Sequence, residues 1–284
     1  MIDTAPRRQR PTATRPPAMR PPATRAGLAF ARELVLAVVV TFAYFLTRGL
    51  IRGRTADAFL HARQLLAVER AAHLAPEAAV QVFASQHDWL VDAANIFYLV
   101  GHLPVLVAVA IWLYWWRPRG YAWFRAAFLC AAAIGLVVYV AYPVAPPRFL
   151  PGFVDTLKSE GINLDGSAIA LFYNPFAAMP SLHVGWAALA GGAMLKWARP
   201  WWVKTLGAAL PLLMAAAVLI TGNHYLLDVL AGAGVALIAG GVALLVSWRP
   251  RRAPARSDAD PPIGLAPVSE VPVVATTSVC RESA

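Results

Sequence analysis

The chain has 284 residues, 59% of them hydrophobic and 14% charged, with a mean hydropathy of +0.56; soluble domains carry about 25% charged residues, so a water-soluble globule is excluded and the solvent is a bilayer. Net charge is +10, but the excess Lys and Arg stand in short clusters and tails rather than on helix faces interleaved with aromatics, which argues against nucleic acid and for anionic lipid headgroups as partners. The two cysteines, Cys130 in an apolar run and Cys280 in a polar tail, offer neither a disulfide framework nor a CxxC metal site.

Residues 1–26 and 250–284 are rich in Pro, Arg, Ala and Ser with no apolar period, so a disordered basic tail and a second disordered tail, both cytoplasmic, are expected around a membrane domain at 27–249. The first tail is too long and proline-rich for the n-region of a signal peptide, and the first apolar run reads as a retained anchor. A spanning helix needs about 20 mostly apolar residues. Six stretches qualify, 28–48, 90–116, 123–143, 180–198, 201–221 and 224–248, and the expected fold is all-α, a polytopic bundle of six transmembrane helices. Between the first two, "TADAFLHARQLLAVERAAHL" (55–74) sets Phe59, Leu60, Leu65, Leu66 and Leu74 among charges, the pattern of an amphipathic helix lying in the interface. Its Glu69, Arg70 and His73 read as a solvated polar face.

Cytoplasmic loops are enriched in Lys and Arg. Arg7, Arg8, Arg10, Arg15, Arg20 and Arg25 precede the first span; Arg117, Arg119 and Arg125 follow the second; Lys196, Arg199 and Lys204 follow the fourth; Arg249, Arg251, Arg252 and Arg256 follow the sixth. Six spans with both termini cytoplasmic put all four clusters on one side, against the dissent of Arg48, Arg52 and Arg54. The loop 144–179 and the starts of the fourth and sixth spans then share the outer face.

Three chemistry-bearing segments meet there. In "MPSLHV", Ser181 is a good N-cap and places His183 in the first turn of the fourth span. In "TGNHYLLD", Asn223 is positioned to cap the sixth span, His224 follows, and Asp228 comes four residues later on the same helix face. Helix N-termini favour anions such as phosphate. Two histidines and a carboxylate divide into a nucleophile, His224, oriented by Asp228, and a general acid, His183. Arg148, in an outer loop after Pro146 and Pro147, offers a planar fork to phosphoryl oxygens. Asn95, Tyr98 and His102 recur at helical spacing in the second span and either line a substrate pocket or hydrogen-bond helices together. Gly191–Gly192 and the Gly232/Gly234 pair read as sites of close helix packing. A different class of function stays open at this point: a 2-His-1-carboxylate set is also a ligand set, as in a transporter that relays protons or binds a metal.

At these residues the sequence resembles the type 2 phosphatidic acid phosphatase superfamily, with "PSLH" (180–183) in place of Pro-Ser-Gly-His and "HYLLD" (224–228) as the His-x-x-x-Asp block. Two departures, Val218 where the family carries an Arg six residues before the histidine, and "PPRFLP" around Arg148 without the usual Lys, make it look like the branch related to inositol phosphorylceramide synthases. The resemblance covers roughly 90–248. It implies a membrane enzyme in a bacterial plasma membrane with a lipid phosphate substrate and no metal or other cofactor. It also implies a histidine-linked intermediate at His224 whose group passes to water or to another hydroxyl, as in a lipid phosphatase or phosphotransferase; from their placement, Arg148, Ser181, Asn223, Tyr98 and His102 are the expected substrate-binding residues.

Overall fold

The computed structural model describes residues 54–161 and 175–247 and parts of 31–43. Both expected tails, 1–26 and 250–284, and most of the expected first span lie outside these residues. The described chain is helical, its β structure being a single bridge between Val144 and Ala177.

Helix α1 (Thr55–Ala71) carries Asp57 in its first turn and Arg70 in its last, matching the helix dipole. It ends where His73 takes a positive φ of 56°, so that the Leu74 and His73 amides close onto the carbonyls of Glu69 and Arg70. Short helices α2 (Glu77–Ala84) and α3 (Asp88–Ile96) follow. A π-helical turn, Phe97–Gly101, joins α3 to α4 (His102–Trp116), and the three together run unbroken over 29 residues. Pro118, whose missing N–H costs nothing at a first helical position, opens α5 (Pro118–Ala141), five residues earlier than the apolar run alone suggests. The segment 142–161 holds a 3₁₀ turn (Pro147–Phe149) and the one-turn α6 (Thr156–Ser159), capped by Asp155. Then come α7 (Leu182–Trp197), α8 (Trp201–Ile220) and α9 (Leu226–Ser247).

Four of these helices are long and apolar enough to cross a membrane: Asp88–Trp116, Pro118–Ala141, Trp201–Ile220 and Leu226–Val246. They match four of the six expected spans. The expected fourth is α7, whose 16 residues extend about 24 Å at ~1.5 Å per residue, short of a hydrocarbon core of about 30 Å. Large apolar side chains such as Leu212, Leu237 and Leu245 point outward from α8 and α9, as they must when the surface meets acyl chains instead of water.

Helix α7 is the hub, packed against α4, α5, α8 and α9. Two glycine contacts set its distance from its neighbours. A Cβ on Gly232 of α9 would lie 2.2 Å from the Ser181 carbonyl oxygen, and one on Gly191 of α7 would lie 2.2 Å from that of Gly207 on α8. The other members of the expected pairs, Gly192 and Gly234, face open space, so each pair supplies one packing glycine.

Candidate active site

The site is assembled by two tight helix ends and one helix start. At the end of α8, Gly222 at φ +66° closes a turn in which the Gly222 and Asn223 amides reach the Leu219 and Val218 carbonyls. A side chain at Gly222 would meet Gln81 Nε2 at 2.6 Å, so only glycine fits. This turn delivers His224, and its Gly222 carbonyl also accepts the Arg148 N–H at 2.9 Å, which draws the 147–149 turn to the same spot. Val218 serves as the turn's carbonyl acceptor and its side chain is fully buried, so the position where the family carries a second arginine is part of the core here.

His224 is buried, and its Nδ1 lies 2.7 Å from the Ala178 carbonyl oxygen. A carbonyl only accepts, so Nδ1 carries the proton and Nε2 keeps its lone pair. The Asp228 Oδ2 stands 3.5 Å from the same Nδ1, close enough to stabilise positive charge on the ring while the Ala178 carbonyl fixes the tautomer. Asp228 is buried and has two further contacts: its Oδ2 accepts the Tyr225 N–H at 2.9 Å, and its carbonyl accepts the Ser181 N–H at 3.0 Å. That last bond ties the start of α7 to the first turn of α9 and so links the two histidine segments.

Ser181 caps α7 as expected, its Oγ accepting from the Val184 N–H, and follows a cis Met179–Pro180 bond whose Pro180 carbonyl accepts from Tyr139 Oη. His183 stands in the first turn of α7 with its ring 5.8 Å from that of His224. Beside it lie Tyr98, with ring centroids 4.7 Å apart, and His102, at 5.4 Å. His102 is buried, and its Nε2 has no hydrogen-bond partner among the described residues. Asn95, the third of that group, turns elsewhere: it bonds Thr156 Oγ1 and Glu160 Oε1, fastening α3 to α6. Arg148 is buried, stacks over Phe149 and keeps an ion-pair contact of 3.6 Å with Asp155.

Two expectations are corrected. Asn223 does not cap the last helix. That helix begins at Leu226, the Asn223 side chain donates to Thr221 Oγ1 at 2.8 Å, and His224 lies before the helix rather than in its first turn. Nor is Glu69 part of a solvated face: it is 1% exposed, and its Oε1 accepts the Leu227 N–H at 2.6 Å, while Glu77 Oε1 accepts the Leu226 N–H at 2.7 Å. The amides that open α9 are therefore occupied by protein carboxylates, and α7 is left as the helix start facing the histidines. The signal for Glu69 was present in the sequence, since position 69 continues the buried stripe Ala58, Ala62, Leu65 at helical spacing. Among the described residues no three His, Cys, Asp or Glu side chains come together in a way that could hold a metal ion.

No solved structure matches the chain. It is 29% identical over 175 residues to a phosphoinositol dihydroceramide synthase of Bacteroides thetaiotaomicron, a match covering 56% of this chain and 57% of that protein's length. A family model described as PAP2 superfamily matches residues 63–242, which takes in Arg148, both histidines, Asp228 and the two carboxylates of α1 and α2. The chain belongs to the PAP2 superfamily.

Proposed function

We propose that the protein transfers a phosphoryl-linked group from a membrane lipid to a hydroxyl acceptor through a covalent intermediate on His224, on the outer face of the membrane. The observation that carries the reading is the His224 ring itself: Nδ1 is committed to the Ala178 carbonyl, Nε2 is left as the nucleophile, and a second imidazole, His183, stands beside it. Nε2 attacks phosphorus and the bond to the leaving alkoxide breaks as His183 gives that oxygen its proton. The His224 ring, now bonded through Nε2 and protonated at Nδ1, is cationic, and Asp228 at 3.5 Å offsets the charge. In the second half the acceptor hydroxyl gives its proton to His183, its oxygen attacks phosphorus, and the N–P bond breaks to restore neutral His224.

Arg148 and the start of α7 at Ser181 suit the non-bridging oxygens, since both present N–H donors. Tyr98 and His102 stand beside His183 and suit the acceptor or the leaving group. Asn223 has a buried Oδ1 without a donor among the described residues; as an acceptor it suits a substrate hydroxyl, not a phosphoryl oxygen. Transfer is favoured over hydrolysis by the relative's name, phosphoinositol dihydroceramide synthase. The outer-face reading rests on the distribution of Lys and Arg. It is supported by the contacts of Glu33, in the expected first span 28–48, with Tyr121 and Arg125 near the start of α5, which fit a span that begins on the same side as α5.

The test is an assay of purified protein in mixed micelles with phosphatidic acid, isoprenyl pyrophosphate or phosphatidylinositol, each with and without a lipid alcohol acceptor and with and without EDTA. Headgroup transfer from phosphatidylinositol that survives EDTA is expected. Phosphate release alone, unaffected by the acceptor, would reassign the protein as a phosphatase, and loss of all turnover in EDTA would remove the histidine mechanism.

A further inference from the structure

The mechanism above makes no use of the two buried carboxyl groups outside the histidine cluster. Glu69 and Glu77 are each 1% exposed and come from different helices, α1 and α2, yet both reach the start of α9, 158 and 149 residues away in sequence. Their contacts of 2.6 and 2.7 Å with the Leu227 and Leu226 amides are as short as charge-assisted hydrogen bonds. Tyr225, the residue before, gives its amide to Asp228. Three consecutive backbone N–H groups directly after His224 are thus held by three carboxyl groups, two of them brought in from outside the helix.

The remaining oxygens carry the second half of the argument. Glu69 Oε2 and Glu77 Oε2 are both buried without a hydrogen-bond donor among the described residues. The two carboxyl groups are close enough to interact; acceptor-only oxygens in a dry place are costly, and one proton shared by the pair offsets that cost. The Asp228 carboxylate on α9 adds repulsion against a second charge here, Tyr225 before α9 interacts with both glutamates, and Arg70 and His73 line the opening beside Leu226. We infer that Glu69 and Glu77 are positioning residues of the active site: a protonated Glu69 donates to Glu77, and the pair clamps the start of α9 so that His224 and Asp228 keep their register.

Burial, and after it the neighbouring Glu77 and Asp228, push the Glu69 carboxyl up to about 8. The clamp therefore loses its bridging proton, and gains a second charge, in mildly alkaline solution.

The inference rests on His224 as nucleophile only for its activity readout; the clamp has a second one, amide hydrogen exchange at Leu226 and Leu227. The variants are Glu69→Ala and Glu69→Gln in the full chain. Glu69→Ala is expected to lower kcat on lipid substrate by about 10- to 100-fold, the scale of a small misplacement of reacting groups, with KM changed far less, and to speed exchange at both amides. A Gln keeps the acceptor for Leu227 and offers Glu77 a permanent N–H donor, so Glu69→Gln is expected to recover most of that kcat and to lack the fall in kcat that the parent shows as pH rises through about 8. If Glu69→Ala does not fold, the pH profile of Glu69→Gln decides alone. An alkaline limb identical in parent and Glu69→Gln, or unaltered exchange at Leu226 and Leu227 in Glu69→Ala, overturns the inference. Slowed exchange in the parent with no turnover by any variant would retain the clamp and reject the catalytic reading it serves.

Discussion

Gly232→Ala tests the geometry that joins the two histidine segments. A Cβ at this position would sit 2.2 Å from the Ser181 carbonyl oxygen, 3.0 Å from its carbon and 3.4 Å from its Cα. All three are backbone atoms, so no side chain can swing away. Real contacts of this kind need about 3.2 Å or more, so α7 and α9 must part by about 1 Å at the level of Ser181. That crossing also carries the Ser181 N–H to Asp228 carbonyl bond at 3.0 Å, which the same movement stretches. Overpacking of this size costs about 1–3 kcal/mol of stability. A shift of about 1 Å between reacting groups costs on the order of 10² in rate. The assay is kcat on lipid substrate together with thermal unfolding in detergent, with Gly234→Ala as the control. Gly234 lies two residues on in the same helix with nothing within 4 Å of the added atom, and the change to Ala there should be neutral or slightly stabilising. Parent-like kcat for Gly232→Ala would mean that the start of α7 does not need its observed distance from α9, and the account of how His183 is placed would fail.

His224→Ala should abolish turnover, while Asp228→Asn should cost about 10², near the lower end for His–Asp pairs, because the Ala178 carbonyl still fixes the His224 tautomer; initial rates with matched expression decide both. His183→Ala should slow a lipid alkoxide leaving group much more than p-nitrophenolate, which departs without a proton; equal slowing of the two would assign His183 to phosphate binding instead. Reporters fused after residue 119 and after residue 200 should read cytoplasm and one within 155–160 should read the outer side; an outer signal from the fusion at 200 would contradict the proposed orientation. Stability should fall as pH rises from about 5 to 8, because the folded chain keeps a proton on Glu69 that the unfolded chain, titrating near 4.5, has already released; unfolding midpoints of the parent and Glu69→Gln across that range measure it, and the variant should show the shallower dependence.

The parts of this molecule that were legible in its sequence are those fixed by short-range physics. Apolar length located the helices, and Ser181 announced the start of α7 because a cap acts within three residues. The spacing of His224 and Asp228 brought the two together, although not as helix neighbours: the pair survives because the Asp228 side chain folds back to the Tyr225 amide and closes the first turn itself. What the sequence concealed depends on partners more than a hundred residues away. Asn223 looked like a cap because it precedes an apolar run, but the donors it would have satisfied were taken by Glu77, Glu69 and Asp228. The π-turn at Phe97–Gly101 carries no compositional mark, yet one residue more or less between Asn95 and His102 changes which of them faces His183. Glu69 is the instructive case, for its place in the Ala58–Ala62–Leu65 stripe foretold burial while its charge foretold exposure. A charged residue in register with a buried face has to find donors there, and the densest set of unsatisfied donors in a helical bundle is the start of another helix. Position in the stripe was therefore the better guide to the burial of Glu69, whose donors lie at the start of α9, just after His224 and Tyr225.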